Sequence, residues 1–408
     1  MHLSISKRFE FSSSHRLAAA GWTDDQNLAF YGREALSPHG HGHNYVAYFS
    51  FEGVVDQATG MIINVVIIKD KIKALIDKRY DHKYLNLDTA PFDVVAPTAE
   101  NLATHLLAEA APLFEGMTAG PVVCHLSESP SSEATAYADG KVERHIWTDF
   151  SAARRTSSPH LTDRENEKIF GRAASASGHG HHYRLRVTLG GKVDPAHGMI
   201  FSEAKSSKIV ADLHDRFDHR NLSTDIPEFE DMPMTTEMLA RYFFDHLGSV
   251  LPVSRVKLYE NDNFFVEFSE EGPAIMGVLS DFHAAHRLHS TALNDSDNRE
   301  IFGKCNNPGG HGHLYRVECS VAGAIDEKTG TLCGLQPLNE TLKSVLDQWN
   351  YKHLNVDTDD FEGKVTTGEN IISVLWSKLS LSLGDSLHRL RLWETTNNRF
   401  TLRRTVGG

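Results

Sequence analysis

Apolar and polar positions alternate through residues 1–16. Leu3, Ile5, Phe9, Phe11 and His15 share one parity, hence one face of an extended chain. This predicts a long strand with one buried side. After a polar loop, residues 44–52 alternate again as a second strand, and Gly60-Met61-Ile62-Ile63-Asn64 reads as a short strand end. The period then changes. Ile68, Ile72, Leu75 and Ile76 follow helical spacing and predict an amphipathic helix. Thr98-Ala99-Glu100 carries helix-start chemistry ahead of a second stripe, Leu102, Leu106, Ala110 and Leu113. Residues 121–128 and 134–138 predict two more strands. The order is β-β-α-α-β-β.

That order recurs. Gly-His-Gly-His ends at His43, His181 and His313, and similar patterns run from about 145 to 270 and from about 275 to 404. The spacings, 138 and 132 residues, far exceed those of a solenoid, so each repeat is a domain-sized module. The expected units are 1–143, 144–272 and 273–408. No Gly/Ser- or Pro-rich linker separates them, and Asp139-Gly140 is a hairpin-type turn into the next first strand. A four-stranded antiparallel sheet with helices on one face leaves two open edges. Joining three edge to edge predicts an α+β fold, a pseudo-trimeric 12-stranded antiparallel barrel with helices outside.

Composition narrows the function. A net charge of −13 over 408 residues argues against a general nucleic-acid surface. No run of eighteen apolar residues exists, so no membrane helix is expected. The first residues read as a strand, not as a basic-then-apolar leader. Cys124, Cys305, Cys319 and Cys333 are spread unevenly and do not read as a disulfide framework, which points to a cytoplasmic setting.

The motif has a chemical reading. Residues i and i+2 of an extended segment point the same way, so His-Gly-His aims two imidazoles at one point. Zinc favours nitrogen ligands, and catalytic sites combine three protein ligands with an open position. The third histidine is expected at the end of each first strand. Unit three offers His286 with His311 and His313; unit one offers His15 with His41 and His43. Unit two has Arg154 there, which cannot ligate a cation, so it is expected to be metal-free.

These segments resemble the 6-pyruvoyltetrahydropterin synthase and 6-carboxytetrahydropterin synthase family, of the tunnelling (T) fold, in three fused copies. The likeness is greatest at Phe302-Gly303-Lys304-Cys305-Asn306-Asn307-Pro308-Gly309-Gly310-His311-Gly312-His313. The resemblance implies three zinc histidines, an upstream cysteine, an Asp-His pair after the first helix, and a glutamate that anchors the pterin. Cysteine stands only at Cys305; counting back from the motif, unit one has Ala35 with Glu34 beside it, and unit two has Ala173. The pair stands at Asp81-His82 and Asp218-His219, whereas unit three reads Asn350-Tyr351. The glutamate is present three times, as Glu128, Glu260 and Glu394.

No unit is complete alone. The resemblance implies sites between subunits, so the expected site joins Cys305, His286, His311 and His313 to Asp81-His82, with Asp218-His219 as the alternative donor. The implied activity is that of a carbon–oxygen lyase of tetrahydrobiopterin biosynthesis, converting 7,8-dihydroneopterin triphosphate to 6-pyruvoyltetrahydropterin with loss of triphosphate. Zn2+ would act as Lewis acid. Cys305 would move protons, His82 oriented by Asp81 would relay them, and Glu394 would hold the pterin. The alternatives are a 6-carboxytetrahydropterin synthase of the deazapurine (queuosine) pathway and a non-catalytic pterin-binding pseudo-enzyme. Some relatives replace the cysteine by glutamate and release a hydroxymethylpterin, a role open to Glu34. The expected partners are the small pterin triphosphate and a second chain, in a homodimer of fused pseudo-trimers, with no nucleic acid or membrane.

Overall fold

The computed structural model describes residues 1–270 and 272–404; residue 271 and positions 405–408, assigned above to the second and third units, lie outside the described residues. Besides a two-residue strand that pairs in parallel with the end of its first strand, each unit contributes four long strands. They are β1 (His2–His15), β2 (His41–Glu52), β3 (Pro121–Ser129) and β4 (Ser132–Tyr137); then β5 (Val142–Arg154), β6 (His179–Gly190), β7 (Val253–Asn261) and β8 (Phe264–Ser269); then β9 (Ala274–His286), β10 (His311–Gly323), β11 (Leu387–Thr395) and β12 (Asn398–Arg403). Strand β4 pairs with β5, β8 with β9, and β12 with β1, all antiparallel. The twelve strands therefore close into one barrel with no free edge.

The alternation read from the sequence sets the two faces. On β2, Tyr45, Ala47, Phe49 and Phe51 are buried under helices. The opposite face lines the barrel's interior and is charged. There Arg389 bridges Glu267 and Glu318 at 2.8 Å each, and Lys257 lies 3.1 Å from Glu267. Buried charge on this scale is tolerated because each of these carboxylates meets a cation.

Leaving aside single turns, each unit packs three helices outside: α1 (Asp24–Tyr31), α2 (Val65–Arg79) and α3 (Ala99–Ala110); α4 (Asp163–Phe170), α5 (Glu203–Phe217) and α6 (Thr236–Gly248); α7 (Asp295–Phe302), α8 (Leu335–Leu346) and α9 (Gly368–Leu383). Ile68, Ile72 and Ile76 of α2 are buried as their spacing predicts, each contributing about 1.5–3 kcal/mol by leaving water. Helix α3 starts at Thr98, whose side chain accepts from the Asn101 N–H.

Three local expectations are corrected. Gly60–Asn64 is not a strand: Asn64 caps α2, and the loop before it reaches a neighbouring unit. The polar loop of unit one contains α1, which buries only Asn27 and Tyr31 and is held by a Thr23/Gln26 capping box. Strand β2 begins at His41, not at residue 44, so the motif histidines are themselves strand residues.

The units interlock in one cyclic direction. The Gly198 carbonyl of unit two accepts from Thr98 of unit one at 2.6 Å, and the Ile200 N–H donates to Glu100 at 3.3 Å. Unit three docks on unit two the same way, through Thr235 with Gly330 and Glu237 with Leu332. Unit one docks on unit three through Thr367 with Gly60 and Glu369 with Ile62. The cap of each unit's third helix is thus also a joint between units, which places the loop of one unit against the site of its predecessor.

Candidate metal centres and active site

The same backbone frame recurs at the three sites. Strand pairing sets Ser13 opposite His43 and His15 opposite His41. It sets Ala284 opposite His313 and His286 opposite His311 in unit three. Gly40 and Gly310 precede the motif at positive φ, and a Cβ there would stand 2.7 and 2.9 Å from the His15 and His286 carbonyls. Only glycine lets the two strand ends approach so closely.

In unit three His286 is fully buried. Its Nδ1 bonds the Thr366 carbonyl at 2.8 Å, which turns Nε2 towards His311 Nε2, 3.1 Å away. The ring centroids of His311 and His313 are 4.9 Å apart, and one ligand nitrogen from each of the three histidines falls in a group within 4.8 Å. Burial, reinforced by His311, His313 and His353, pushes His286 down to about 3. It is therefore a neutral imidazole, the form that binds metal. Three imidazoles converging on one point fit a metal ion, and the backbone bond to His286 is the outer partner such a ligand uses.

Cys305 lies outside this group and interacts with Glu394 and Tyr315 beside it. Burial and the nearby Glu394 raise its pKa above the ordinary thiol value. Glu394 Oε1 lies 3.7 Å from His286 Nε2, and its other oxygen receives a long 3.4 Å contact from Asn398. Unit one reaches this pocket through a residue the sequence reading passed over. Lys7 donates to Asn398 at 2.8 Å and feels both Glu394 and Lys69. Its signal was the one charge on the apolar face Leu3–Ile5–Phe9–Phe11.

Unit one corrects the motif count. The single turns Gly32–Ala35, Gly171–Ala174 and Gly303–Asn306 superimpose in sequence order, with Glu34, Ala173 and Cys305 each third. The carbonyls of those three residues accept equivalent bonds from Leu17, Thr156 and Leu288. Glu34, not Ala35, holds the cysteine's place, and unit one carries one extra loop residue before its motif. Glu34 Oε2 lies 2.6 Å from His41 Nε2 and 3.7 Å from both His15 and His43. Burial opposes ionisation of Glu34, but His15, His43 and His41 together hold it well below the usual carboxylate range. His15 is correspondingly raised: burial disfavours its charge, and Glu34, Glu128 and the Pro97 carbonyl outweigh burial.

In unit two Arg154 fills the third-histidine position. Its Nη2 donates to Glu260 at 2.5 Å and to Thr236 at 2.8 Å. His181 Nε2 lies 3.0 Å from the other oxygen of Glu260. Burial opposes ionisation there too, but Arg154 and His181 hold Glu260 at about 2. His179, His181 and Glu260 are close enough for a cation, but the guanidinium already supplies the positive charge and would repel one. Here the anchor carboxylate is consumed by the protein itself. Glu128 of unit one is intermediate: it accepts from Ser132 at 2.8 Å and from Tyr45 at 3.5 Å.

The Asp-His pairs sit on the barrel's rim. Asp81 accepts from the Ser12 N–H at 2.9 Å and from His82 Nδ1 at 2.8 Å, leaving the imidazole 83% exposed. Asp218 does the same with Ser151 and His219, which is 84% exposed. In unit three Asn350 keeps the backbone bond, to His283, but Tyr351 stands where the adjacent histidine would be and stacks on the His283 ring. His82, His219 and Tyr351 all adopt positive φ, from 55° to 59°. This left-handed turn costs about 1–3 kcal/mol and is pinned by the preceding Asp or Asn. The groove beside His82 is lined by residues 12–14, 42–44 and 82–84, all of unit one. Within the chain, then, the three histidines of unit three and Glu394 come together, with Cys305 near Glu394, whereas neither Asp-His pair has a hydrogen bond or ion pair to them among the described residues.

The comparisons agree with this repeated frame. The family model described as "6-pyruvoyl tetrahydropterin synthase" matches residues 4–139, 144–271 and 276–405. The chain belongs to that family, as three fused copies. The 6-pyruvoyl tetrahydrobiopterin synthase of Pongo abelii is 43% identical over 135 residues, 32% of this chain and 92% of that protein. The Drosophila melanogaster protein of the same name is 36% identical over 138 residues, 33% of this chain and 82% of that protein. Among solved structures, Caenorhabditis elegans 6-pyruvoyl tetrahydropterin synthase is similar at 36% identity and a TM-score of 0.31, covering 32% of this chain and 95% of that one. No helix among the described residues is long and apolar enough to cross a membrane.

Proposed function

We propose that the chain is a zinc-dependent, cytoplasmic 6-pyruvoyltetrahydropterin synthase that eliminates triphosphate from 7,8-dihydroneopterin triphosphate at the third unit. The observation that carries this is the coincidence, in that unit alone among the described residues, of a thiol, three converging imidazoles and a carboxylate not held by an arginine. Zinc held by His286, His311 and His313 supplies Lewis acidity to the hydroxyl-bearing side chain of the substrate. Glu394 accepts hydrogen bonds from the pterin ring, for which two coplanar oxygens are suited. Cys305 takes and returns the proton on the carbon beside the substrate hydroxyls; a bound zinc ion would offset the burial and the Glu394 charge that raise its pKa. Lys7 adds a cation beside Glu394 and favours a polyanionic substrate.

The proton relay is assigned to Asp81-His82 or Asp218-His219 of a second copy of the chain. Their exposed imidazoles project from the rim, and stacking two barrels rim to rim carries them towards the site that lacks its own pair. The active form is then a homodimer of pseudo-trimers. The test is incubation with 7,8-dihydroneopterin triphosphate and mass analysis of the products. Triphosphate with 6-pyruvoyltetrahydropterin supports the reading. Acetaldehyde would instead indicate the 6-carboxytetrahydropterin reaction, named for a Rickettsia felis relative 27% identical over 145 residues. Pterin binding without turnover would make the chain a pseudo-enzyme.

A further inference from the structure

Unit one keeps every metal-binding histidine, yet its surroundings differ from those of unit three in a way that changes what a bound ion could do. We propose that the first unit holds a second zinc ion in a closed, four-ligand structural centre, with Glu34 as the fourth ligand beside His15, His41 and His43. Such an ion has no position left for a substrate, and its work is mechanical.

Three observations support this. The first is distance. In a tetrahedral centre with bonds of about 2.0 Å, neighbouring donor atoms lie about 3.3 Å apart. Glu34 Oε2 stands 2.6, 3.7 and 3.7 Å from the three imidazole nitrogens, which scatter about that value. One ligand atom from each of the four residues lies within 4.8 Å of all the others, whereas Cys305 is outside the corresponding group of unit three. The second is orientation without a partner. His15 is fully buried and its Nδ1 is fixed on the Pro97 carbonyl at 2.9 Å, yet the inward-facing Nε2 makes no hydrogen bond. His43 Nε2 is likewise buried and unpartnered. Buried polar atoms of this kind require an explanation, and a shared ion supplies one for both. The third is charge. Three imidazoles and one carboxylate are the nitrogen and oxygen donors zinc takes, and they leave the centre singly positive with zinc bound.

The ion's place in the fold gives the mechanical role. Glu34 lies on the turn directly after α1, and the segment from α1 to Ala35 is where unit two docks. Tyr31 donates to the His197 carbonyl at 2.7 Å, and Ser202 donates to the Phe30 carbonyl at 2.8 Å. The small cluster of Leu17, Ala19, Tyr31, Ala35, Ala96 and Met199 packs across that joint. An ion tying Glu34 to β1 and β2 therefore staples the platform on which the second unit rests.

The full-length chain tests this without substrate, so failure of the synthase reading leaves it untouched. Zinc content should be two per chain. Release to a chromogenic chelator should show two phases of equal amplitude, one at least tenfold slower than the other. Glu34→Gln, nearly isosteric and a poor ligand, and Glu34→Ala should each abolish the slow phase. The double variant His311→Ala/His313→Ala should abolish only the fast one. In that double variant loaded with cobalt, azide should leave the visible spectrum unchanged, because no coordination position is free. A single zinc per chain, a slow phase that survives both Glu34 variants, or an azide-sensitive cobalt spectrum would each overturn the proposal.

Discussion

Replacing Arg154 by histidine restores at unit two the residue that units one and three use to complete their triads. Arg154 is 2% exposed and its partner Glu260 is nearly as buried. Removing one member of a buried ion pair costs about 3–5 kcal/mol, because the other charge is left uncompensated. The pKa gives a similar figure. A carboxyl held at about 2 rather than 4.5 stores roughly 3 kcal/mol at neutral pH. The metal-free variant should therefore be less stable by about 3–5 kcal/mol in chemical denaturation with chelator present. Zinc at a hundredfold excess over its Kd should return about 2.7 kcal/mol. Zinc content should rise by one ion per chain, since His179 and His181 are already aligned. The pH dependence follows from the sign. Glu260 is depressed in the folded state, so its contribution is complete above about pH 4.5 and is lost as the pH falls towards 2. That loss should shrink in the variant, where His181 and Thr236 remain beside Glu260. Wild-type stability in chelator, or no additional zinc, would refute the view that the guanidinium stands in for a metal.

Cys305→Ala should abolish turnover while leaving the metal content unchanged; retained activity would remove the thiol from the reaction. Mixing Cys305→Ala chains with chains lacking both Asp-His pairs should recover part of the activity if the relay comes from a second copy, and recover none if it acts within one chain. Glu369 and Glu237 are both pushed up to about 7, by burial foremost, so the unfolded chain gains by ionising them first. Stability should fall as the pH rises from about 4.5 to about 7 and then level off. Glu369→Gln/Glu237→Gln, which keeps the acceptor for Ile62 and Leu332, should flatten that decline in a thermal melt.

The periodic part of the fold could be read directly. Alternation on β1 and β2, helical spacing on α2 and the threefold motif lead to a closed barrel, because edges must be paired and no linker offers another arrangement. Helix α1 escaped because it has no apolar stripe; a capping box and the buried Asn27 side chain hold it instead. The triads of units one and three were legible because strand register is local: His15 opposite His41 follows from two adjacent strands. Glu34 was misaligned for a different reason. Its equivalence to Cys305 is carried by a backbone bond to Leu17, and one inserted loop residue hides it from any count made along the chain. Lys7 and the helix-cap joints join residues about 100 to 390 positions apart, a separation at which no local pattern survives.

The pairing of β1 with β12 sets the timing of assembly. During synthesis the opening strand emerges without its partner and must wait for nearly four hundred residues. Until then two raw edges remain exposed, and Lys7 has no Asn398 to meet. The surroundings of the centre that retains the thiol are consequently finished only once β12 has been made and paired with β1. A chain that stops before β12 can complete the junction between the first two units but cannot bring Lys7 to Asn398.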